Sequence, residues 1–154
     1  MKQKKSKYGN INFEGSRYSK SLLINNREPD FLDEIEDGIK PIIKVLVNKG
    51  FDTYSSCQGH VYEDDISHMN FDLIDEKENK DKWLQYLEYI QNKYSISLKV
   101  DFLEIPEKAK YLLNKEYREP IRVVFIFPDM INRFDNAQIV AESLDKEEYK
   151  EFLK

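Results

Sequence analysis

Apolar residues in the first third of the chain recur at helical spacing. Phe31, Ile35, Ile39, Ile42 and Leu46 follow at intervals of four, four, three and four, which places them on one stripe of a helix. Pro29 and Asp30 suit its start and Gly50 its end. Gly38 and Pro41 interrupt the stripe without changing its phase, so a kink, or two short helices in line, is expected near residues 37–41. Residues 51–55 read as a strand leaving that helix. Over 66–74 the period becomes two: Met69, Phe71 and Leu73 alternate with His68, Asn70 and Asp72, giving one apolar and one polar face. The period returns to helical over 80–94, with Trp83, Leu84, Leu87, Ile90, Gln91 and Tyr94 in step and Asn79 or Asp81 placed to cap.

Residues 95–105 alternate again, with Ile96, Leu98, Val100 and Phe102 on one side and Ser97, Lys99 and Asp101 on the other. Pro106 opens a short helical turn ending near Asn114. Residues 121–127 (IRVVFIF) are almost continuously β-branched or aromatic, the signature of a strand buried on both faces in mid-sheet, and Pro128 stops it. The tail 135–154 reads as helical, with Asp145 and Glu148 spaced as a capping box. The order helix, strand, strand, helix, strand, strand, helix predicts an α+β fold, a four-stranded and mainly antiparallel sheet with helices packed on one face.

With 154 residues, 40% apolar and 13% aromatic, the chain can bury one sizeable core, which favours a single domain over two. Charge divides it further. Residues 1–20 carry Lys2, Lys4, Lys5, Lys7, Arg17 and Lys20 against Glu14, a net +5, leaving −10 for the rest of a chain that totals −5. We therefore expect a basic, partly flexible arm over 1–28 and one α+β domain over 29–154. The acidic body argues against a dedicated duplex-binding protein, so nucleic acid is a less favoured partner than a small molecule. A single cysteine cannot close an internal disulfide, and neither a hydrophobic signal core nor a run of about 20 apolar residues occurs, so a cytoplasmic protein without membrane contact is expected. A site this small in a chain of this size also leaves room for a homo-oligomer.

Chemistry concentrates at Ser55-Ser56-Cys57-Gln58-Gly59-His60, where two hydroxyls, a thiol, an amide and an imidazole follow a strand within six residues. Glycine permits positive φ or close approach to a ligand, and small hydroxyl residues leave neighbouring N–H groups accessible, as an oxyanion or phosphate cradle requires. Ser55, Ser56 and Gly59 would hold the anion while His60 donates to it or shuttles a proton. Alternatively the stretch is a strand-to-turn connection with a structural Cys57, which packs as a small apolar residue. As a nucleophile Cys57 would need His60 as its base. His68, Asn70 and Asp72 would line the same pocket if the second strand pairs beside the first. Arg118 and Arg122 flank the most buried strand as phosphate clamps or salt-bridge partners, and Tyr54 and Tyr62 bracket the loop as stacking candidates.

The Ser-Ser-Cys-x-Gly pattern after a helix rich in Ile and Leu resembles the Ser-Ser-Cys-Ser-Gly-Arg segment of the tRNA wybutosine-synthesis methyltransferase family, over roughly residues 35–62. Similar Ser-Cys-x-Gly-His loops occur in small bacterial and phage proteins. Membership would imply a tRNA substrate and S-adenosylmethionine, with Ser55, Ser56, Cys57 and Gly59 matching the motif. Gln58 stands where that family has serine and His60 where it has arginine, which removes a permanent cation.

Cys57, His60 and His68, with Glu63, Asp64 or Asp65, offer ligand types that zinc accepts, but the spacing C-x2-H-x7-H matches no standard finger, so no metal and no cofactor are expected. The leading functional expectation is a module that binds, and by holding sequesters, a phosphate-bearing small molecule such as a nucleotide or nucleotide-derived signal, through residues 55–60 with Tyr54, Asn70, Arg118 and Arg122. An enzyme cleaving a phosphodiester with His60 and His68, or transferring a methyl group to RNA, is the first alternative. A protein-interaction module is the second.

Overall fold

The computed structural model describes residues 5–6, 9–10, 35–62, 65–110 and 113–153, with the backbone alone at 5–6, 9–10, 60–62, 65–66 and 108. Lys5–Ser6 (β1) and Gly9–Asn10 (β2) pair antiparallel; the rest of the expected arm, and Glu63 and Asp64, lie outside the described residues. The body runs α1 (Lys40–Asn48), β3 (Ser56–Cys57), β4 (His60–Tyr62), β5 (Asp65–Ser67), β6 (Met69–Glu76), α2 (Lys80–Tyr94), β7 (Lys99–Leu103), α3 (Glu107–Lys110), β8 (Pro120–Phe127) and α4 (Arg133–Asp145), with 3-10 turns at Lys77–Asn79 and Glu148–Glu151. The central sheet is antiparallel throughout, in the order β3-β6-β8-β7, so the fold is α+β.

Alternation decides which face of the sheet is covered. Met69, Phe71 and Leu73 of β6 and Val123, Phe125 and Phe127 of β8 enter one core with Ile42, Ile43 and Leu46 of α1, Trp83, Tyr86 and Ile90 of α2, and Ala137, Val140 and Leu144 of α4. The opposite face carries Asn70, Asp72 and Ile74, which pair with Ile126, Val124 and Arg122. One end of it is covered by a smaller cluster of Ile74, Ile105 and Ala109 with Tyr54, Leu113 and Tyr117.

Several boundaries depart from the sequence pattern for local reasons. The stripe Ile39, Ile42 and Leu46 is fully buried, and α1 begins at Lys40, with Pro41 in its first turn; the expected start at Pro29 and Asp30, with Phe31, lies outside the described residues. A proline lacks the N–H that would bond back a turn, and its ring clashes with the carbonyl there, so the expected kink is instead the helix start. Residues 37–39 are turn. At the other end Gly50, at φ +90, donates to Val47 O while Phe51 N–H donates to Leu46 O, the paired bonds of a Schellman stop.

Helix α2 matches its predicted span, but Asn79 makes no side-chain cap; its amide donates to Asp75, which also holds the Trp83 indole N–H at 2.7 Å. The Asp145/Glu148 capping box does not form. Glu147 adopts φ 59 before the last turn, and Glu148 faces α2 to accept from Tyr94 OH and Lys93.

Candidate functional site

Residues 55–60 are a hairpin arm where a loop was expected. Cys57 opposes Asn70 in the sheet, and beyond a two-residue gap His60 opposes Ser67, Val61 opposes Ile66 and Tyr62 opposes Asp65. The two ladders share one register, so β3-β4 and β5-β6 are the arms of a single interrupted hairpin. The predicted strand over 66–74 is thereby split at His68, with its first part paired to β4.

Gly59 and Gln58 cause the interruption. Gly59 sits at φ +87, and a Cβ there would lie 2.9 Å from Met69 N and 3.1 Å from Ser67 O, so only glycine lets the arms pass this closely. Gln58 is held on three sides. Its N–H donates to Glu36 Oε1 at 2.9 Å, its side-chain Oε1 accepts from Gly38 N–H at 2.8 Å, and its carbonyl accepts from Arg133 Nε at 3.0 Å. The gap in the ladder thus docks the hairpin onto the segment before α1 and onto the first residue of α4. Gly59 N–H donates to Cys57 Sγ at 3.3 Å, and that sulfur lies 3.7 Å from Ser67 Oγ.

A second departure, on the other side of β3, builds a highly organised polar group on the sheet face opposite the helices. In register, Thr53 would oppose Ile74; instead Ile74 N–H donates to Asp52 O at 2.9 Å, a slip of one residue. The amides of Tyr54 and Ser55, left without ladder partners, both donate to Asp72 Oδ1, at 2.8 and 3.1 Å. That side chain replaces the missing rungs, which is why 51–55 is extended without being a strand. Asp72 Oδ2 accepts from Arg122 Nε at 2.8 Å, and the Arg122 guanidinium lies 4.6 Å from the centre of the Tyr54 ring. Asp72 is fully buried, and burial pushes its carboxyl up against the opposing pull of Arg122 and the two amides.

The geometry regroups the predicted site residues. Asn70 and Cys57 oppose one another and so share the face of Asp72 and Arg122, whereas Ser56 opposes Phe71 on the helix-covered face. The amides of Tyr54, Ser55, Gln58 and Gly59 are all committed within the protein, so they do not form the anion cradle that the spacing of hydroxyls and glycine predicts. His60 backbone is one residue removed from facing His68, which is exposed; the His60 side chain lies outside the described residues, as does that of Tyr62. Arg118 stands apart from Arg122, with its guanidinium on Glu78 and its amide on Glu76. Among the described residues no group of three His, Cys, Asp or Glu could hold a metal, and no helix is long and apolar enough to cross a membrane.

Three organising residues carry no motif that would have singled them out. Asp52, 2% exposed, accepts from Asn114 N–H and Nδ2, Lys115 N–H and Tyr117 OH, and so straps residues 114–117 to the start of the hairpin. Burial, with Asp52 beside it, drives the Tyr117 hydroxyl well above its ordinary pKa. Glu36 and Arg133 grip Gln58 from sequence separations that no local pattern spans. Comparison with protein-family models, with curated proteins and with solved structures finds no match to this chain.

Proposed function

We propose that the protein binds a phosphate-bearing small molecule, such as a nucleotide or a nucleotide-derived signal, on the sheet face opposite the helices, with the partly exposed Arg122 as its anion contact. The observation that carries this reading is the preorganisation of Arg122. Its Nε is fixed by a buried carboxylate and its plane rests against Tyr54, while among the described residues no other acceptor meets its terminal nitrogens. A guanidinium held in this way has already lost its rotamer freedom and still offers its two terminal NH2 groups in one plane, matching phosphate oxygens. Asn70 and Cys57 lie on the same face, further along the strands. The role the sequence assigns to main-chain amides therefore passes to one side chain, and Tyr54 supports Arg122 rather than stacking on a base.

Isothermal calorimetry against inorganic phosphate and a panel of nucleotides tests the reading. Arg122→Ala should weaken binding by roughly ten- to a hundredfold, the worth of a charge-assisted hydrogen bond, and Arg122→Lys should fail to restore it because it lacks the planar fork. Wild-type silence across the panel overturns the proposal. Turnover of a bound nucleotide that vanishes in His60→Ala would move the protein from a binder that sequesters to an enzyme. The three-sided capture of Gln58 favours a second reading, in which residues 55–60 are structural and the acidic surface meets a protein partner. Under it, substitutions at Arg122 would leave nucleotide titrations flat and function intact.

A further inference from the structure

We infer that β7 is a dimerisation edge, on which a second copy of this chain adds its own β7 antiparallel about a two-fold axis through Val100. Among the described residues the strand is the last in the sheet order and pairs only with β8. Its outward main chain can be identified. Leu98 N–H donates to Gln91 Oε1 and Phe102 N–H to Asp101 Oδ1, so both point away from β8, and by alternation Val100 does too. Residues 98, 100 and 102 therefore turn their amides and carbonyls outward, with the Leu98 and Phe102 amides each held by a single side-chain acceptor.

Charge selects the register. A two-fold axis normal to the sheet keeps each face on its own side, so the axis must pass through a residue rather than between two. Centred on Lys99 or Asp101 it would oppose like charges. Centred on Val100 it opposes Lys99 to the partner's Asp101, twice over, and brings Leu98 opposite the partner's Phe102, both in the hydrogen-bonding phase of the edge. Lys99 and Asp101 are exposed and make no ion pair with a described residue. Pairing exchanges the bonds from Leu98 N–H to Gln91 and from Phe102 N–H to its neighbour's carboxylate for bonds to partner carbonyls, and releases that carboxylate toward the partner's Lys99.

Apolar exposure agrees with this placement. Of the four large apolar side chains exposed among the described residues, Leu103 lies on β7 and Leu84 on α2, the helix packed against it, each at 41%. A long open edge flanked by apolar side chains is otherwise an aggregation hazard, and pairing removes it.

Sedimentation equilibrium on the full chain tests the proposal. The wild type should dimerise. Lys99→Glu and Asp101→Lys, each placing like charges opposite one another at two symmetric points, should each weaken the dimer by roughly tenfold or more. The double variant, which restores attraction with the signs exchanged, should recover it, with circular dichroism confirming that all three fold. A wild type that stays monomeric into the millimolar range overturns the proposal. So does a dimer indifferent to the single reversals, or one that the double variant fails to rescue.

Discussion

Gly59 and Gly50 share a positive φ but differ in surroundings, and the difference is measurable. A Cβ at Gly59 would collide with backbone atoms of the facing arm, whereas at Gly50 the nearest atom is the Lys115 Nζ at 3.9 Å. Gly50→Ala should cost about 1 kcal/mol in urea unfolding, the strain of a left-handed residue alone. Gly59→Ala should cost about 3 kcal/mol or more, because the two arms must also separate. Glu148 shows the electrostatic counterpart. Burial, its largest single influence, raises the carboxyl, but Lys93, Ser143 and Tyr94 together outweigh it and hold it at about 2 against an ordinary 4.5. A depressed carboxylate contributes stability above its unfolded pKa and loses it on acidification through the folded one. Glu148→Gln should therefore be less stable than wild type near neutrality, with the gap closing as pH falls from 4.5 toward 2, as read from denaturant midpoints across that range.

Elements made by one dominant periodicity were legible in the chain, and those shaped by a side chain reaching across were not. Of the stripe read over 80–94, Trp83 and Ile90 are buried and α2 occupies its expected span, though Leu84 is exposed and Tyr86, outside the stripe, is buried; β8 is continuous in β-branched and aromatic residues and lies between two neighbours. Residues 51–55 have strand composition, yet Asp72 supplies the acceptor that a neighbouring strand would have supplied, and nothing local in the sequence marks an aspartate 17 residues away from Ser55 for that role. Residues 66–74 alternate correctly and still divide, because Gly59 breaks the facing arm. The stretch 55–60 reads as a loop in the sequence and is a hairpin arm in the structure: density of polar types marks a neighbourhood but carries no information about which amides are already bonded. Asp52 extends the point to the strap 114–117. Asp52→Asn exchanges a buried carboxylate surrounded by donors for an amide that must aim its own N–H at one of them, so a loss of roughly 2–4 kcal/mol is expected, with proteolysis at 113–117 accelerated before global unfolding.

Across the whole molecule, an aromatic group ties the tail to the sheet. Trp83 has Phe51, Tyr86, Phe125 and Tyr149 around it at centroid distances of 5.8–6.1 Å, and Tyr86 OH meets Ser143 Oγ at 2.8 Å. Tyr149 belongs to the last turn, so the final residues complete the core after α4 ends. Tyr149→Ala should cost about 3–5 kcal/mol, and the fluorescence of the single tryptophan should shift red as water reaches the indole.

Asp72 is at once a rung of the hairpin and the anchor of Arg122, so a guest that draws on the guanidinium also loads the backbone of two residues on the neighbouring segment. Hydrogen exchange at the Tyr54 and Ser55 amides should then slow when phosphate or a nucleotide is added, a reporter lying outside the contact surface. Swapping Asp72 for asparagine would sever that linkage even where some affinity survives.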